Sequence, residues 1–398
     1  MRTRGLLLSL AICLSHSAVA VEFDFRGSTG LELKGFTQDP LQPVQHGSTG
    51  SLALQPELFW SWNEGDDSLS FIPFGRLDSG DDERSHADIR ELLWLHVGNG
   101  WEFRGGIGKV FWGVTESIHL VDIVNQTDLV ESIDQEEKLG QPMLWLSLPK
   151  DFGTVDFFAL PGFRERTFPG EEGRFRTTLV VDTDLTTYES EDGDEHIDYA
   201  LRWSHYVGPV DFGLSWFSGT SRDPDYRPAP QADGSVVLAP HYPLIDQYSI
   251  DIQSVLDAWL LKLEYIYRDP ELSDSYSAAI AGFEYTLGSI FDSRYDLGII
   301  LEYLYDSRDD AAAGPFQDDL FAGFRLAFND AQSSELLFGV IGDLHNGSRL
   351  FNLEAARRLG DNWKVSLEAR AFSSIPETDP LFSQRQDDYI QLNLEYFF

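Results

Sequence analysis

The stretch "GKVFWGVTESIHLVDIVNQTDLVESIDQEEKLGQP", residues 108–142, concentrates side chains that could handle a small polar molecule. Glu116, His119, Asp122, Asn125, Gln126, Asp128 and Glu131 bring carboxylates, amides and one imidazole into a single segment. Around a water-filled passage such groups select solutes by charge and hydrogen bonding. A second set of charges is spread along the rest of the chain. Lys34, Arg76, Arg104, Arg202, Lys262, Arg325, Arg358 and Arg370 are its cations. Glu57, Glu102, Glu264, Glu302 and Glu368 oppose them, together with Glu32, Asp198, Asp211, Asp251, Glu354 and Glu395. Each of these either sets ion selectivity or closes a structural salt bridge.

Local patterns for bond-making chemistry do not occur. "GGIGKVFWG" (105–113) lacks the G-x-x-x-x-G-K-[ST] spacing of a phosphate loop, and no Ser or Thr follows Lys109. The nine histidines form neither H-x-x-x-H nor H-E-x-x-H, which argues against zinc. No G-x-S-x-G elbow is present, and "DGDEH" and "DSRDDAAAG" miss the EF-hand spacing. The expectation is a protein without cofactor, metal or catalysis. One alternative stays open, because a triad built from residues distant in sequence leaves no local motif.

The elements that must position these charges are strands. "NWKVSLEARAF" puts Trp363, Val365, Leu367, Ala369 and Ala371 on one face, and Lys364, Ser366, Glu368 and Arg370 on the other. "DAWLLKLEYIYRD", "PVDFGLSWF", "IDYALRWSHY" and "RYDLGIILEYLYD" alternate in the same way. A soluble sandwich also alternates. These runs, however, reach ten residues or more, where soluble strands average five or six. Their apolar rows also carry Trp60, Trp62, Trp203, Trp259, Tyr267, Tyr303, Tyr305, Trp363 and Tyr396 near their ends. Aromatic girdles bordering a hydrocarbon band produce that pattern.

Composition agrees. Lys plus Arg is 29 and Asp plus Glu is 66; without Arg2 and Arg4 the balance is 27 against 66, a net of −39. No basic footprint for nucleic acid exists, and 42% hydrophobic with 13% aromatic residues excludes a disordered acidic chain. "MRTRGLLLSLAICLSHSAVA" has the layout of a secretory signal peptide, residues 1–20, leaving 21–398 as a single transmembrane domain. A lipoprotein signal using Cys13 is the competing reading, disfavoured by the large Ile12 before it. Cys13 is the only cysteine, so a chain without the signal has no disulfide or thiolate site. No later stretch is apolar enough for a membrane helix.

Strands are expected near 28–37, 49–62, 68–78, 86–98, 100–111, 142–150, 152–161, 195–207 and 209–219. They continue near 244–254, 256–268, 274–287, 294–306, 317–329, 332–343, 348–359, 362–373 and 387–398. Those near 86–98 and 142–150 alternate poorly, so sixteen strands instead of eighteen is the alternative count. Turns after even-numbered strands are tight ("NEGDD", "GNG", "KDFG", "GDN"), while most after odd-numbered ones are long and acidic. That asymmetry marks an antiparallel up-and-down transmembrane β-barrel. The closing run Ile390, Leu392, Leu394, Tyr396, Phe398 resembles the signal read by the assembly machinery of bacterial outer-membrane barrels. The whole chain resembles porin-type barrels of Gram-negative bacteria. The resemblance implies an outer-membrane location, with Tyr396 and Phe398 in the assembly signal. Implied partners are outer-membrane lipid and lipopolysaccharide, the barrel-assembly machinery and small solutes, in a monomer or a homotrimer.

Residues 113–141 interrupt the strand pattern and carry Ile118, Leu120, Val121, Ile123, Val124, Leu129, Val130 and Ile133. Burying five or six of these is worth on the order of ten kcal/mol, and irregular backbone cannot face hydrocarbon. The inside of the barrel is left. The segment is expected to fold inward as a partly helical constriction, with its seven polar residues projecting into the channel; an ordinary surface loop is the alternative. A barrel of about eighteen strands leaves an aqueous lumen. The functional expectation is a passive channel for small hydrophilic solutes, its acidic excess favouring cationic or neutral solutes over anions. Divalent cations bridging acidic loops such as "YESEDGDEH" (188–196) to lipopolysaccharide are an equally good explanation of the acidity. A barrel hydrolase acting on lipids or peptides, or an occluded structural or export barrel of an envelope complex, are the alternatives.

Overall fold

A computed structural model describes residues 21–308 and 316–398. The expected signal peptide lies outside these residues. All eighteen expected strands are present and form one antiparallel sheet. Glu22–Phe36 pairs with Ser48–Trp62 on one side and with Tyr389–Phe397 on the other, so first and last strands close the cylinder. Sequential pairing continues through every other strand of the sheet. Closure removes the unpaired edges that an open sheet would expose to lipid. Phe398 adds a reciprocal backbone pair with Gly27, N–H to O at 3.0 Å each way.

Alternation assigned the faces correctly. On the last strand Ile390 and Leu392 point outward at 53% and 44% exposure, while Tyr389 and Gln391 are buried inside. Around the wall Leu33, Leu54, Leu144, Tyr199, Tyr248 and Ile299 are likewise exposed outward. A continuous apolar exterior of this kind has hydrocarbon as its solvent. Trp60, Trp203, Trp259 and Trp363 stand near the tight-turn rim, packed on aromatic neighbours such as Phe23, Phe212, Tyr285 and Tyr396.

The two poorly alternating strands have a physical explanation. Ala87–Gly98 and Gln141–Lys150 point Leu93, Met143 and Trp145 inward, where they pack on a buried apolar cluster. A strand covered on both faces loses its polar row. One feature escaped the sequence reading: Thr187–Tyr188, Asp225–Pro230 and Val236–Tyr242 form a separate three-stranded sheet within the long loops. Gly106 is a required glycine. Its φ is +138°, and a Cβ there would lie 2.1 Å from the Leu92 carbonyl oxygen.

Candidate functional site

The chain leaves the wall after Gly108 and rejoins it at Gln141. Between them it folds into the barrel. Val121, Ile123 and Val124 are at most 2% exposed and pack on Met143, Phe158, Leu160, Phe217, Ile245 and Ile266 of the inner wall. Ile118 and Leu120 meet a second wall cluster of Ile280, Ile300, Leu304 and Phe321. The segment therefore covers one half of the inner wall, from roughly the Trp101–Gly108 strand to the Asp318–Ala327 strand.

No helix forms between residues 109 and 140, against the partly helical expectation. The backbone N–H groups find carboxylates of the wall instead of carbonyls one turn back. Glu264 Oε1 accepts from Val114 N (2.6 Å), Thr115 N (3.0 Å) and Thr115 Oγ1 (2.8 Å), and its Oε2 from Val121 N (3.2 Å). Glu302 accepts from Glu116 N at 2.7 Å, Ser117 N at 2.9 Å and Ser117 Oγ at 2.6 Å. Both glutamates are fully buried. Two wall side chains thus take over hydrogen bonding that a helix would have supplied internally.

The expected constriction residues mostly serve this docking. Asn125 spans the neck of the segment: its amide donates to Gly108 O (2.9 Å) and Leu139 O (2.8 Å) and accepts from Val110 N (2.8 Å). Asp128 pairs with Arg90 at 2.7 Å and accepts from Thr167 Oγ1. Gln126 accepts from Arg166 at 3.3 Å. Asn125, Gln126 and Asp128 are at most 1% exposed, so these three do not project into open space. A buried acceptor is stabilised by the bonds it makes, and here they come from Arg90 on the wall, Arg166 and Thr167 of a neighbouring loop, and the neck of the segment itself. Asp122 faces Lys138 at 3.3 Å, and burial raises its carboxyl pKa above the ordinary value. Glu131 is held by Arg76 through both carboxylate oxygens at 2.7–3.0 Å.

Glu116 and His119 keep partial exposure. Glu116 meets Arg325 at 2.7 Å and Lys262 at 3.6 Å. His119 lies 3.2 Å from Glu136 and 3.6 Å from Glu264. Burial works against its protonation, but the two carboxylates outweigh it and raise the imidazole pKa to about 9.

The wall charges sort by partner. Arg76, Lys262, Arg325 and Arg370 all reach acids of the inward segment, Arg370 through Asp134 at 2.8 Å. Lys34 with Glu32, Arg104 with Glu102, and Arg202 with Asp251 close wall-to-wall pairs. Glu368 sits 3.0 Å from Arg370. Glu57 pairs with Arg26, and Arg358 stands exposed over the Phe397 ring. Several anchors were missed: Arg84, Arg90, Arg166 and Arg222 grip the segment, Arg84 and Arg222 through the carbonyls of Val130 (2.8 Å) and Val124 (2.8 Å). For Arg166 the arginines of "FRERTFPGEEGRFR" (163–176), in an otherwise acidic loop, were the available signal.

On the uncovered side a cavity of about 460 Å³ remains between residues 129–137 and the strands at the closure seam. Glu32, Lys34, Gln55, Glu368, Gln391 and Glu395 line it, polar and of both signs. Among the described residues no group of three or more histidine, cysteine, aspartate or glutamate side chains is placed to hold a metal ion.

No protein-family model and no curated protein matches the chain. Among solved structures it is similar, over 95% of its length and all of theirs, to two membrane proteins. One is a triple mutant of Rhodopseudomonas blastica porin (11% identity, TM-score 0.44). The other is a loop-deletion mutant of OmpT, an outer membrane protein of Vibrio cholerae (10% identity, TM-score 0.49). At these scores the likeness carries no argument about activity.

Proposed function

We propose that the protein is an outer-membrane channel through which small hydrophilic solutes diffuse, narrowed by residues 113–141. The observation that carries this reading is how the inward segment docks: by apolar packing on one side of the lumen and by ion pairs to Arg76 and Arg370 on the other. The apolar side packs on the inner wall, and beside the ion-paired side a polar cavity remains, bounded by Glu131, Asp134, Arg76 and Glu368. A barrel built only as a scaffold has no need of a lumen lined on one side by charge. On this reading the chain makes and breaks no bonds, its partners are outer-membrane lipid and the passing solute, and the carboxylates of the lining favour cations.

The test is conductance of refolded full-length protein in planar bilayers. Discrete ohmic steps with cation-favouring reversal potentials in asymmetric salt are expected, and deleting 116–134 should enlarge the steps. Steps of unchanged size after the deletion would remove the constriction from the account. A silent bilayer with the native chain would favour an occluded barrel, and silence joined to lipid or peptide turnover would favour a hydrolase.

A further inference from the structure

Four arginines line the cavity at the closure seam, and each is already committed. Arg76 holds Ser51 and Glu131, Arg84 holds Glu32 and Asp78, Arg90 holds Asp128 and Arg174 holds Asp387, all at 2.6–2.8 Å. Lys34 is the exception. Its side chain is 10% exposed, it lines the same cavity, and it donates no hydrogen bond among the described residues. The carboxylate nearest to it, on Glu32, stands 3.9 Å away, beyond hydrogen-bond reach, and already accepts from Arg84 and Arg76. What supports the charge is aromatic. The ammonium lies 4.9 Å from the centre of the Tyr389 ring and 5.2 Å from that of Phe175. These rings pack on each other and on Phe36. Ring faces offset part of the desolvation of a cation, but they leave its three N–H donors without an oxygen acceptor.

Strand register fixes what surrounds this ammonium. Gln391 of the last strand and Thr49 of the second stand directly opposite Lys34 on its two sides. Gln391 is buried, with its amide nitrogen 3.3 Å from Asn393, and the Tyr389 hydroxyl is spent on Glu368. Lys34 is therefore the one uncommitted cation of the lining, held in place by rings and by polar neighbours that carry no charge. Farther along, the cavity turns acidic, with nine acidic lining residues against five basic ones. Glu137 and Glu395 on that lining make no ion pair among the described residues.

We propose that Lys34 is the subsite for the carboxylate of a small zwitterionic solute of the amino-acid class, whose ammonium is accommodated by the acidic surplus of the same cavity. One ammonium matches the single charge of a carboxylate. A phosphate dianion would bring two charges to one cation in acidic surroundings, and a solute anionic as a whole meets that surplus as repulsion. A zwitterion finds a partner for each end and adds no net charge to the cavity. Its hold is weak enough for release, as conduction requires. The assignment rests on the channel reading for its purpose, while the subsite itself is a binding claim and is tested as one.

The test titrates refolded full-length protein in detergent with alanine, alaninamide (ammonium only) and N-acetylalanine (carboxylate only), reading binding by ligand-observed NMR. The native chain is expected to bind alanine with a Kd on the order of 1 mM, and each blocked analogue at least ~10-fold more weakly, since each lacks one charge-assisted contact. Lys34→Met keeps an apolar stem over the rings and should weaken alanine at least ~10-fold while leaving alaninamide unchanged; Lys34→Arg should retain alanine binding. Alaninamide bound by the native chain as well as alanine would overturn the carboxylate subsite without any variant. So would native-like alanine binding by Lys34→Met, or no alanine binding by the native chain. N-acetylalanine bound as tightly as alanine would overturn the zwitterion. Uptake of alanine into liposomes carrying the protein separates the subsite from the channel. Lys34-dependent binding without uptake refutes the channel and supports the subsite, whereas uptake with binding indifferent to Lys34 supports the channel and overturns the subsite.

Discussion

Glu302→Gln isolates the force that holds the inward segment. In the native chain this carboxylate accepts three hydrogen bonds, from Glu116 N, Ser117 N and Ser117 Oγ, at 2.6–2.9 Å and with no exposure to water. The amide keeps the shape but replaces one acceptor oxygen by a donor, so one or two of the three bonds are lost. Hydrogen bonds to a charged group contribute ~1.5–3 kcal/mol each. The local opening free energy should fall by about 2–4 kcal/mol, and amide exchange around residues 116 and 117 should quicken roughly 30- to 700-fold. The wall itself should stay intact, because its strand-to-strand ladders do not involve this side chain. Hydrogen–deuterium exchange of a 113–122 peptide, with a 363–373 strand peptide as control, measures both at once. Exchange unchanged at 116–117 would refute the reasoning and assign the docking to apolar packing alone. Loss of protection in both peptides would show that the tether supports the barrel as a whole. Glu264→Gln, with four such bonds, should act in the same direction on 114, 115 and 121.

His119 supplies a pH signature. Its folded-state pKa of about 9 lies above the ordinary imidazole value, so its stabilising pairing is fully present below about pH 6.5 and is lost as pH rises through 9. Exchange protection of the inward segment should weaken between pH 7 and 10 in the native chain, and His119→Gln should flatten that dependence. Arg84→Ala tests the buried ion cluster: it leaves Glu32 without its 2.7 Å partner and also strips Asp78. A loss of ~3–5 kcal/mol is expected, read as a lowered urea midpoint with unchanged slope in detergent. A variant as stable as native would mean that Lys34 and Arg76 suffice for Glu32.

The wall was legible in the sequence because its rule is local. Every backbone group in hydrocarbon must pair with a neighbouring strand, and side-chain direction alternates strictly with position. Residue types at i and i+2 therefore report lipid or lumen without any knowledge of partners, and the rows ending in Trp363, Trp259 and Phe398 were assigned to the correct face. The inward placement of 113–141 followed from the same solvent argument applied to Val121, Ile123 and Val124. What filled the gaps was not local. Asp128 and Arg90 are 38 positions apart, Arg370 and Asp134 are 236, and Glu302 binds amides nearly as distant.

Sequence alone marked the chain as a cylinder of strands in lipid and singled out one apolar segment expected inside it, with a surface loop as the alternative. Tertiary structure decided which polar residues of that segment face water and which are consumed in holding it. The physical reason is that a charge facing the lumen and a charge facing a partner look identical in a one-dimensional pattern. Barrel closure and the loops arching over it bring Arg90, Arg166 and Arg222 to Asp128, Gln126 and the Val124 carbonyl, and only that convergence separates a pore lining from a hinge pin.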